Sequence, residues 1–399
     1  MCIRDSSCPA LAYDRDASSG AILLDPSRCI GCRYCAWACP YGAPRFEEEN
    51  GVMGKCTFCS HRLSDGLEPA CATLCPTGAL DFASLPVSDL GADVEGFPRT
   101  DLGPSLRIEP ARRPTRRDAG LDTGDESEFL DLARPAPSPG ITLRSEWSLA
   151  VFTFLTALLF AAFVAATAGE LRLPPILFAS TAAGAAGFSL SHLGRPARAW
   201  RAGLNIRRSW LSREVLGFAS FAAVGTAALV IGVRGEPALG VIGAVLGLLT
   251  LASADLVYRP VYRGPHPLLD GGGALLTGLY LAGLMLADPW LAGIAGALKL
   301  VSEGWWAFRG TGHGERRSGA LAAPRILFGL AIPAAAWIAS GAPLPTWVLL
   351  SALVGEALGR TRYYTRLRVQ SPTRQARADL ASRLASIRKP ALPTIRRSS

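Results

Sequence analysis

The sequence predicts a small α+β domain followed by an all-α bundle of eight transmembrane helices, and three observations carry that prediction. Every cysteine lies before residue 76. The long apolar runs begin only around residue 146. Hydrophobic residues make up 49% of the 399-residue chain, a share that points to segments buried in lipid.

The first part, residues 7–96, is turn-rich and cysteine-dense, and residues 21–24 read as a strand after a Ser-Ser-Gly turn. Residues 97–140 mix Pro, Gly and acids with the basic run Arg112, Arg113, Arg116 and Arg117, show no apolar period, and read as a linker. Residues 141–370 form the predicted membrane domain, and 371–399 a basic, disordered tail. Met1-Cys2-Ile3-Arg4-Asp5-Ser6 reads as a translated transposon mosaic-end adapter and is set apart from fold reasoning.

Apolar segments run at 145–167, 174–193, 212–233, 237–258, 271–288, 289–308, 320–340 and 343–360. Most reach the ~20 residues a helix needs to cross a bilayer. Asp288-Pro289 makes a tight turn between the fifth and sixth. Lys299 and Glu303, four apart in the sixth, are expected to pair across one helical turn. Gly184, Ala185, Ala186 and Gly187 suit close helix packing, and Trp147, Trp290 and Trp347 sit near segment ends, where amphipathic rings prefer the interface.

The net charge of +9 does not point to nucleic acid, because Arg is scattered with no aromatic-interleaved basic face. Instead the arginines follow the membrane. Arg195, Arg198, Arg201, Arg207, Arg208 and Arg213 follow segment two, Arg259 and Arg263 segment four, Arg309, Arg316 and Arg317 segment six, and Arg360, Arg362, Arg366 and Arg368 segment eight. The opposite loops hold only Arg172 and Arg234, so the side of both termini is expected to be cytoplasmic.

Cys29-Ile-Gly-Cys32-Arg-Tyr-Cys35-Ala-Trp-Ala-Cys39-Pro40 has the spacing that holds an iron–sulfur cubane with three thiolates while the fourth, before proline, turns to another cluster. Cys56, Cys59, Cys71 and Cys75-Pro76 repeat it with a longer inner loop. Zinc gives no reason for the Cys-Pro endings, and disulfides none for the repeat. Cys8-Pro9 reads as the end of an upstream motif whose first three cysteines are absent. The first part is thus a partial 4Fe-4S polyferredoxin domain.

Three runs in residues 7–82, Cys29-Ile-Gly-Cys-Arg-Tyr-Cys, Ala38-Cys-Pro-Tyr-Gly-Ala-Pro and Pro69-Ala-Cys-Ala-Thr-Leu-Cys-Pro-Thr-Gly-Ala-Leu, resemble the four-cluster iron–sulfur subunit of dimethyl sulfoxide reductase-type molybdoenzymes. Residues 145–366 resemble that complex's membrane anchor through His192-Leu-Gly-Arg-Pro-Ala-Arg-Ala, Ser209-Trp-Leu-Ser-Arg-Glu214 and Gly355-Glu-Ala-Leu-Gly-Arg. Fusion of the two and the missing cysteine groups depart from the usual separate subunits. The resemblance implies pairing of the first motif with the fourth and the second with the third. Cys8, Cys29, Cys32 and Cys35 would then complete one cluster, while Cys39, Cys56, Cys59, Cys71 and Cys75 would belong to incomplete sets. The full-length protein would hold four [4Fe–4S] clusters, and the present sequence would keep a full ligand set for one.

Oxidising a quinol needs a nearby cluster and titratable groups at the membrane boundary. His192, Glu214, Asp255, Glu303 and Glu356 lie near the cluster-side ends of the spans; Glu170, Glu236 and Asp288 lie at the other. By position alone His192 could simply end a helix; the anchor resemblance turns it toward a quinone oxygen. Glu214 follows Ser212, a candidate N-cap, and could complement the helix dipole or relay a proton. Arg195 or Arg208 would stabilise negative charge there. Two facing histidines for a b-type haem are missing, since His61, His266 and His313 lie elsewhere, so a haem-free anchor is expected.

The resulting expectation is an electron-transfer and anchor subunit for anaerobic respiration in the bacterial inner membrane. It would oxidise menaquinol or ubiquinol and feed a separate molybdopterin-containing catalytic subunit. The iron–sulfur domain would face the cytoplasm, with the periplasm as alternative. The alternatives in function are a substrate-oxidising complex that reduces quinone and the electron conduit of an ion-pumping complex, which a continuous polar path across the helices would favour.

Overall fold

The computed structural model describes residues 7–86, scattered positions from 88 to 109, residue 141, and residues 143–232, 237–309, 321–341 and 344–367 apart from 263, with isolated positions beyond. The adapter-like residues 1–6, residues 110–140 of the linker and nearly all of the tail lie outside the described residues, as do Glu236 and His313. In chain order come β1 Tyr13–Arg15, β2 Ile22–Leu24, α1 Tyr34–Ala38, β3 Arg45–Glu47, β4 Val52–Gly54, α2 Ser60–Ser64 and α3 Ala70–Thr73. Then follow α4 Leu143–Ala168, α5 Pro175–Ser191, a 3-10 helix Pro196–Gly203, α6 Trp210–Ile231, α7 Pro237–Val257, α8 Ala274–Met285 and α9 Pro289–Arg309. Helix α10 combines Ala322–Ile326, a π-turn Leu327–Ala331 and Ile332–Ser340, and α11 is Thr346–Arg366.

The chain divides into two compact units: residues 1–38, 44–57 and 141–368, and residues 39–43, 58–140 and 369–399. In the first, β1 pairs antiparallel with β2, Tyr13 facing Leu24, and β3 pairs with β4. Along β1 Tyr13 is buried while Asp14 and Arg15 are exposed. In the second, Tyr41 stacks on Phe97 at 5.3 Å, and the rings of Phe58 and Phe82 meet edge-on at 5.5 Å.

The helices begin and end where local chemistry dictates. Proline opens α5, α7 and α9, where its missing N–H costs nothing, and Asp288 caps α9 by accepting from Trp290 N at 2.9 Å and Leu291 N at 3.1 Å. Inside, Phe163, Phe178 and Phe221 pack in a triangle with centroids 5.5–5.8 Å apart. Close packing of small residues was expected at Gly184 and Gly187, but both face open space; Ala182 and Ala185 are the buried small residues of α5.

Helix α10 contains its own irregularity and its remedy. Pro333 has no N–H to give the carbonyl four residues back, that of Gly329. The helix widens into a π-turn there, and Tyr280 Oη donates to Gly329 O at 2.7 Å instead. Gly329 and Gly355 let α10 and α11 touch backbone to backbone, since a Cβ on Gly355 would collide with Gly329 Cα.

Among the described residues eight helical segments follow the predicted order, and five are long and apolar enough to cross a membrane. A sixth is reached if α5 and the 3-10 helix, bent by 104°, count as one span. The eight-span count is therefore approximate: α9 and α11 fall short because they carry charge. That charge points inward. Lys299, Glu303, Arg325, Glu356, Arg360, Arg362 and Arg366 are buried, while Ile176, Val241, Trp290, Phe308 and Ile338 are exposed, a distribution suited to an apolar solvent. Trp147, Trp290 and Trp347 are exposed near helix ends.

Two sequence expectations change. Segment eight continues to Arg366, so Arg360, Arg362 and Arg366 are buried helix residues rather than loop charges. Lys299 and Glu303 do not pair: Lys299 Nζ donates to Glu356 Oε2 at 2.6 Å, and Glu303 pairs with Arg325, Arg362 and, at 2.9 Å, Arg366. A cross-helix partner in an apolar interior is worth more than a neighbour one turn away.

Candidate functional site

The loop from Cys29 to Cys35 turns back on itself through left-handed backbone at Gly31 (φ 69°) and Arg33 (φ 59°). Gly31 meets the backbones of Gly51 and Gly194, where any Cβ would collide. The turn after Cys8 brings Ala12 N to Cys8 Sγ at 3.3 Å, and Met53 N reaches Cys29 Sγ at 3.4 Å. Cys8, Cys29, Cys32 and Cys35 thereby line one cavity with Tyr13 and Met53.

Burial pushes the Cys8 and Cys32 thiols up and that of Cys35 to about 12, and neighbouring thiol charges add to this. A multiply charged metal group among these thiols would offset that cost of ionising them. Among the described residues no three His, Cys, Asp or Glu side chains converge tightly enough for a single metal ion. Four sulfurs around a cavity, rather than around a point, suit a cubane, whose thiolates bind different irons. The donor set and the cavity fit a [4Fe–4S] cluster.

The other cysteines differ. Cys56 and Cys71 are exposed, Cys59 and Cys75 half-buried, and Cys39 buried. A hydrogen bond with the Thr77 hydroxyl holds the Cys75 thiol down at about 7.

The connection from α5 to α6 grips the cysteine loop. Gly194 N donates to Gly31 O at 3.4 Å and Arg195 N to Ile30 O at 3.1 Å. Arg198 Nη1 donates to Pro26 O at 2.7 Å and Cys29 O at 3.1 Å, and Asn205 Nδ2 to Cys8 O at 3.0 Å. Arg195, expected to stabilise a carboxylate or a quinone, donates from Nε to Asn50 O at 2.8 Å. A guanidinium facing several unpaired carbonyls satisfies them first. Arg208 is exposed, its backbone N bonded to Asn205 O. The roles of Arg198 and Asn205 escaped the sequence reading, because backbone carbonyls leave no residue signature to match.

His192 closes α5, and its Nδ1 is buried without a hydrogen bond of normal geometry. Glu214 is buried on α6. Its helix starts at Trp210 after Ser209, so Ser212 lies inside the helix rather than at its cap, and Glu214 stands beyond the first turn. Trp37 stacks on Tyr258 at 6.0 Å, and Tyr258 Oη lies 2.8 Å from Tyr364 Oη. Nearby, Arg360 donates from Nε to Thr153 Oγ1 at 2.9 Å and faces Asp255 at 3.5 Å. The cysteine loop thus abuts the end of the bundle that carries the buried polar network.

Residues 2–85 match the 4Fe-4S dicluster domain family. The chain is 38% identical over 134 residues to a component of the anaerobic dimethyl sulfoxide reductase of Haemophilus influenzae, an overlap of 32% of this chain and 61% of that protein. It is 35% identical over 122 residues to a sulfite dehydrogenase subunit of Allochromatium vinosum, covering 27% and 51%. It is 45% identical over 86 residues to the thiosulfate reductase electron transfer subunit of Salmonella typhi, covering 21% and 44%. The chain spans about three-fifths of the length of the dimethyl sulfoxide reductase relative. No solved structure matches. The N-terminal part is an iron–sulfur domain homologous to these subunits, and a mostly helical region with five or six apolar spans follows it.

Proposed function

We propose that the chain is the electron-transfer and membrane-anchor component of a molybdoenzyme complex, oxidising menaquinol or ubiquinol at the cluster-facing membrane surface. A separate molybdopterin-containing subunit would receive the electrons. The observation that carries this reading is the grip of the α5–α6 connection on the cysteine loop: Asn205 and Arg198 hold the carbonyls of Cys8 and Cys29 directly above two apolar helices. Any redox group in the cavity would then sit against the membrane boundary, within reach of a quinol headgroup.

Bound among Cys8, Cys29, Cys32 and Cys35, a [4Fe–4S] cluster would accept and pass single electrons. The chain's own residues handle position and protons. Arg195, Arg198 and Asn205 fix the loop. His192, at the end of α5, is the first proton acceptor in this reading, and buried Glu214 the second. Arg195, bound through Nε to Asn50 O, keeps its terminal nitrogens for negative charge at this site, and Arg208 is the alternative.

One observation favours keeping the reverse direction as a second reading: the relatives include both reductase and dehydrogenase subunits. The ion-pumping alternative finds less support. Among the described residues the buried ion pairs, Lys299–Glu356, Glu303 with Arg325, Arg362 and Arg366, Arg366–Asp270 and Arg360–Asp255, lie between the cluster-side helix ends and the middle of α9 and α11.

The test is quinol-driven reduction of the reconstituted chain in detergent. His192→Ala and Glu214→Gln should each abolish reduction by a quinol analogue while dithionite still reduces the cluster. Wild-type rates in both variants would overturn the assignment.

A further inference from the structure

Ten of the eleven residues lining the cysteine cavity offer a thiol, a thioether or an apolar side chain; the exception is Tyr13. Its place follows from the strand. β1 pairs with β2, and along it Tyr13 is buried while Asp14 is exposed. The residue is 7% exposed, and its phenol oxygen is fully buried with no hydrogen-bond partner of normal geometry among the described residues. A buried hydroxyl without a partner is costly, so a protein keeps one where something is to accept its hydrogen.

Other donors to this sulfur cage are accounted for. Ala12 N serves Cys8 Sγ and Met53 N serves Cys29 Sγ. Of the four thiols, that of Cys35 acts most strongly on the Tyr13 hydroxyl. The hydroxyl is thus a buried donor on the cavity wall, on the Cys35 side of the cage.

We infer that Tyr13 is a positioning residue for the cluster's redox level: its O–H donates to sulfur on the Cys35 side of a bound cluster and raises its reduction potential. The inference rests on the reading that these four cysteines hold a [4Fe–4S] cluster. The reason is electrostatic. Reduction adds one electron to the cluster, and the negative charge spreads onto its sulfurs. A hydrogen bond to sulfur offsets that charge, more effectively in a cavity that excludes water. In the proposed direction of flow, a higher potential makes this cluster a better acceptor for quinol electrons. Tyr13 would therefore act on the driving force of the first transfer without touching the quinol.

The experiment uses the full chain, reconstituted with iron and sulfide in detergent, and its Tyr13→Phe variant, which keeps the ring and removes only the hydroxyl. Iron and labile sulfide should be equal in the two. In a redox titration followed by electron paramagnetic resonance, the reduced-to-oxidised ratio at the wild-type midpoint should fall about tenfold in the variant, a midpoint lower by about 59 mV. A second measurement does not depend on the variant's stability: iron–sulfur stretching bands of the wild type should shift on exchange into D₂O by an increment that Tyr13→Phe lacks. Equal cluster content with an unchanged or higher midpoint, or with the same deuterium shift, would overturn the role of Tyr13 and leave the cluster assignment standing. A wild-type chain that binds no cluster would overturn both.

Discussion

Arg198 donates through Nη1 to the carbonyl oxygen of Cys29 at 3.1 Å, across 169 residues of sequence. The same nitrogen holds Pro26 O at 2.7 Å, so one guanidinium fixes the entry into the first cysteine motif. Together with Asn205 on Cys8 O it ties two of the four cavity cysteines to the connection between α5 and α6.

Removing that tie should loosen the loop before it empties the cavity. A charge-assisted hydrogen bond is worth about 1.5–3 kcal/mol. Arg198→Ala should raise amide exchange in residues 26–31 and slow quinol-driven reduction about tenfold, with iron content unchanged. Asn205→Ala should have a smaller effect near Cys8. Wild-type exchange in both would show that the contacts hold nothing.

Reconstitution of the present chain should yield about one stable [4Fe–4S] cluster, since among the described cysteines Cys8, Cys29, Cys32 and Cys35 line one cavity. Cys29→Ser should remove most of the bound iron, and Cys71→Ser little of it. Four clusters per chain would contradict the ligand pairing.

The Lys299–Glu356 pair, with side chains 0% and 2% exposed, should be far more sensitive to single than to double replacement. Lys299→Met leaves a buried carboxylate without its partner, at a cost of about 3–5 kcal/mol. The double variant Lys299→Met with Glu356→Leu should recover most of that loss. Thermal unfolding in detergent measures both; a double variant less stable than either single one would contradict the pairing.

Tyr280 and Pro333 should be coupled through the Gly329 carbonyl. Tyr280→Phe should cost about 1–3 kcal/mol, because it leaves a buried acceptor unpaired. In a Pro333→Ala background the helix regains an N–H for that carbonyl, and the cost should fall by more than half. A thermal-stability cycle with additive effects would dismiss the explanation of the π-turn.

Both ends of the helical region should face one side of the membrane. Trp37 of the cysteine loop stacks on Tyr258, which meets Tyr364 near the end of α11. The remaining loop arginines predict that this side is cytoplasmic. A fluorescent protein fused after Arg368 should fluoresce, and alkaline phosphatase there should be inactive; the opposite pattern would place the domain in the periplasm.

What the sequence determined alone is what short-range chemistry encodes. Cysteine spacing and the Cys-Pro endings identify an iron–sulfur domain, because a tight loop must bring three thiolates round the faces of one cluster. Apolar runs delimit the helices, because each span needs a fixed length of apolar chain. His192, Asp255, Glu303 and Glu356 were legible as charges or imidazoles too costly to bury idly. Their partners were not. Lys299 chose Glu356 over Glu303, Arg195 found the carbonyl of Asn50, and Tyr13 came to line the cavity. Each choice depends on which helices and strands lie side by side. In an interior without water, a buried polar group takes whichever partner packing brings near, and sequence distance then carries no weight.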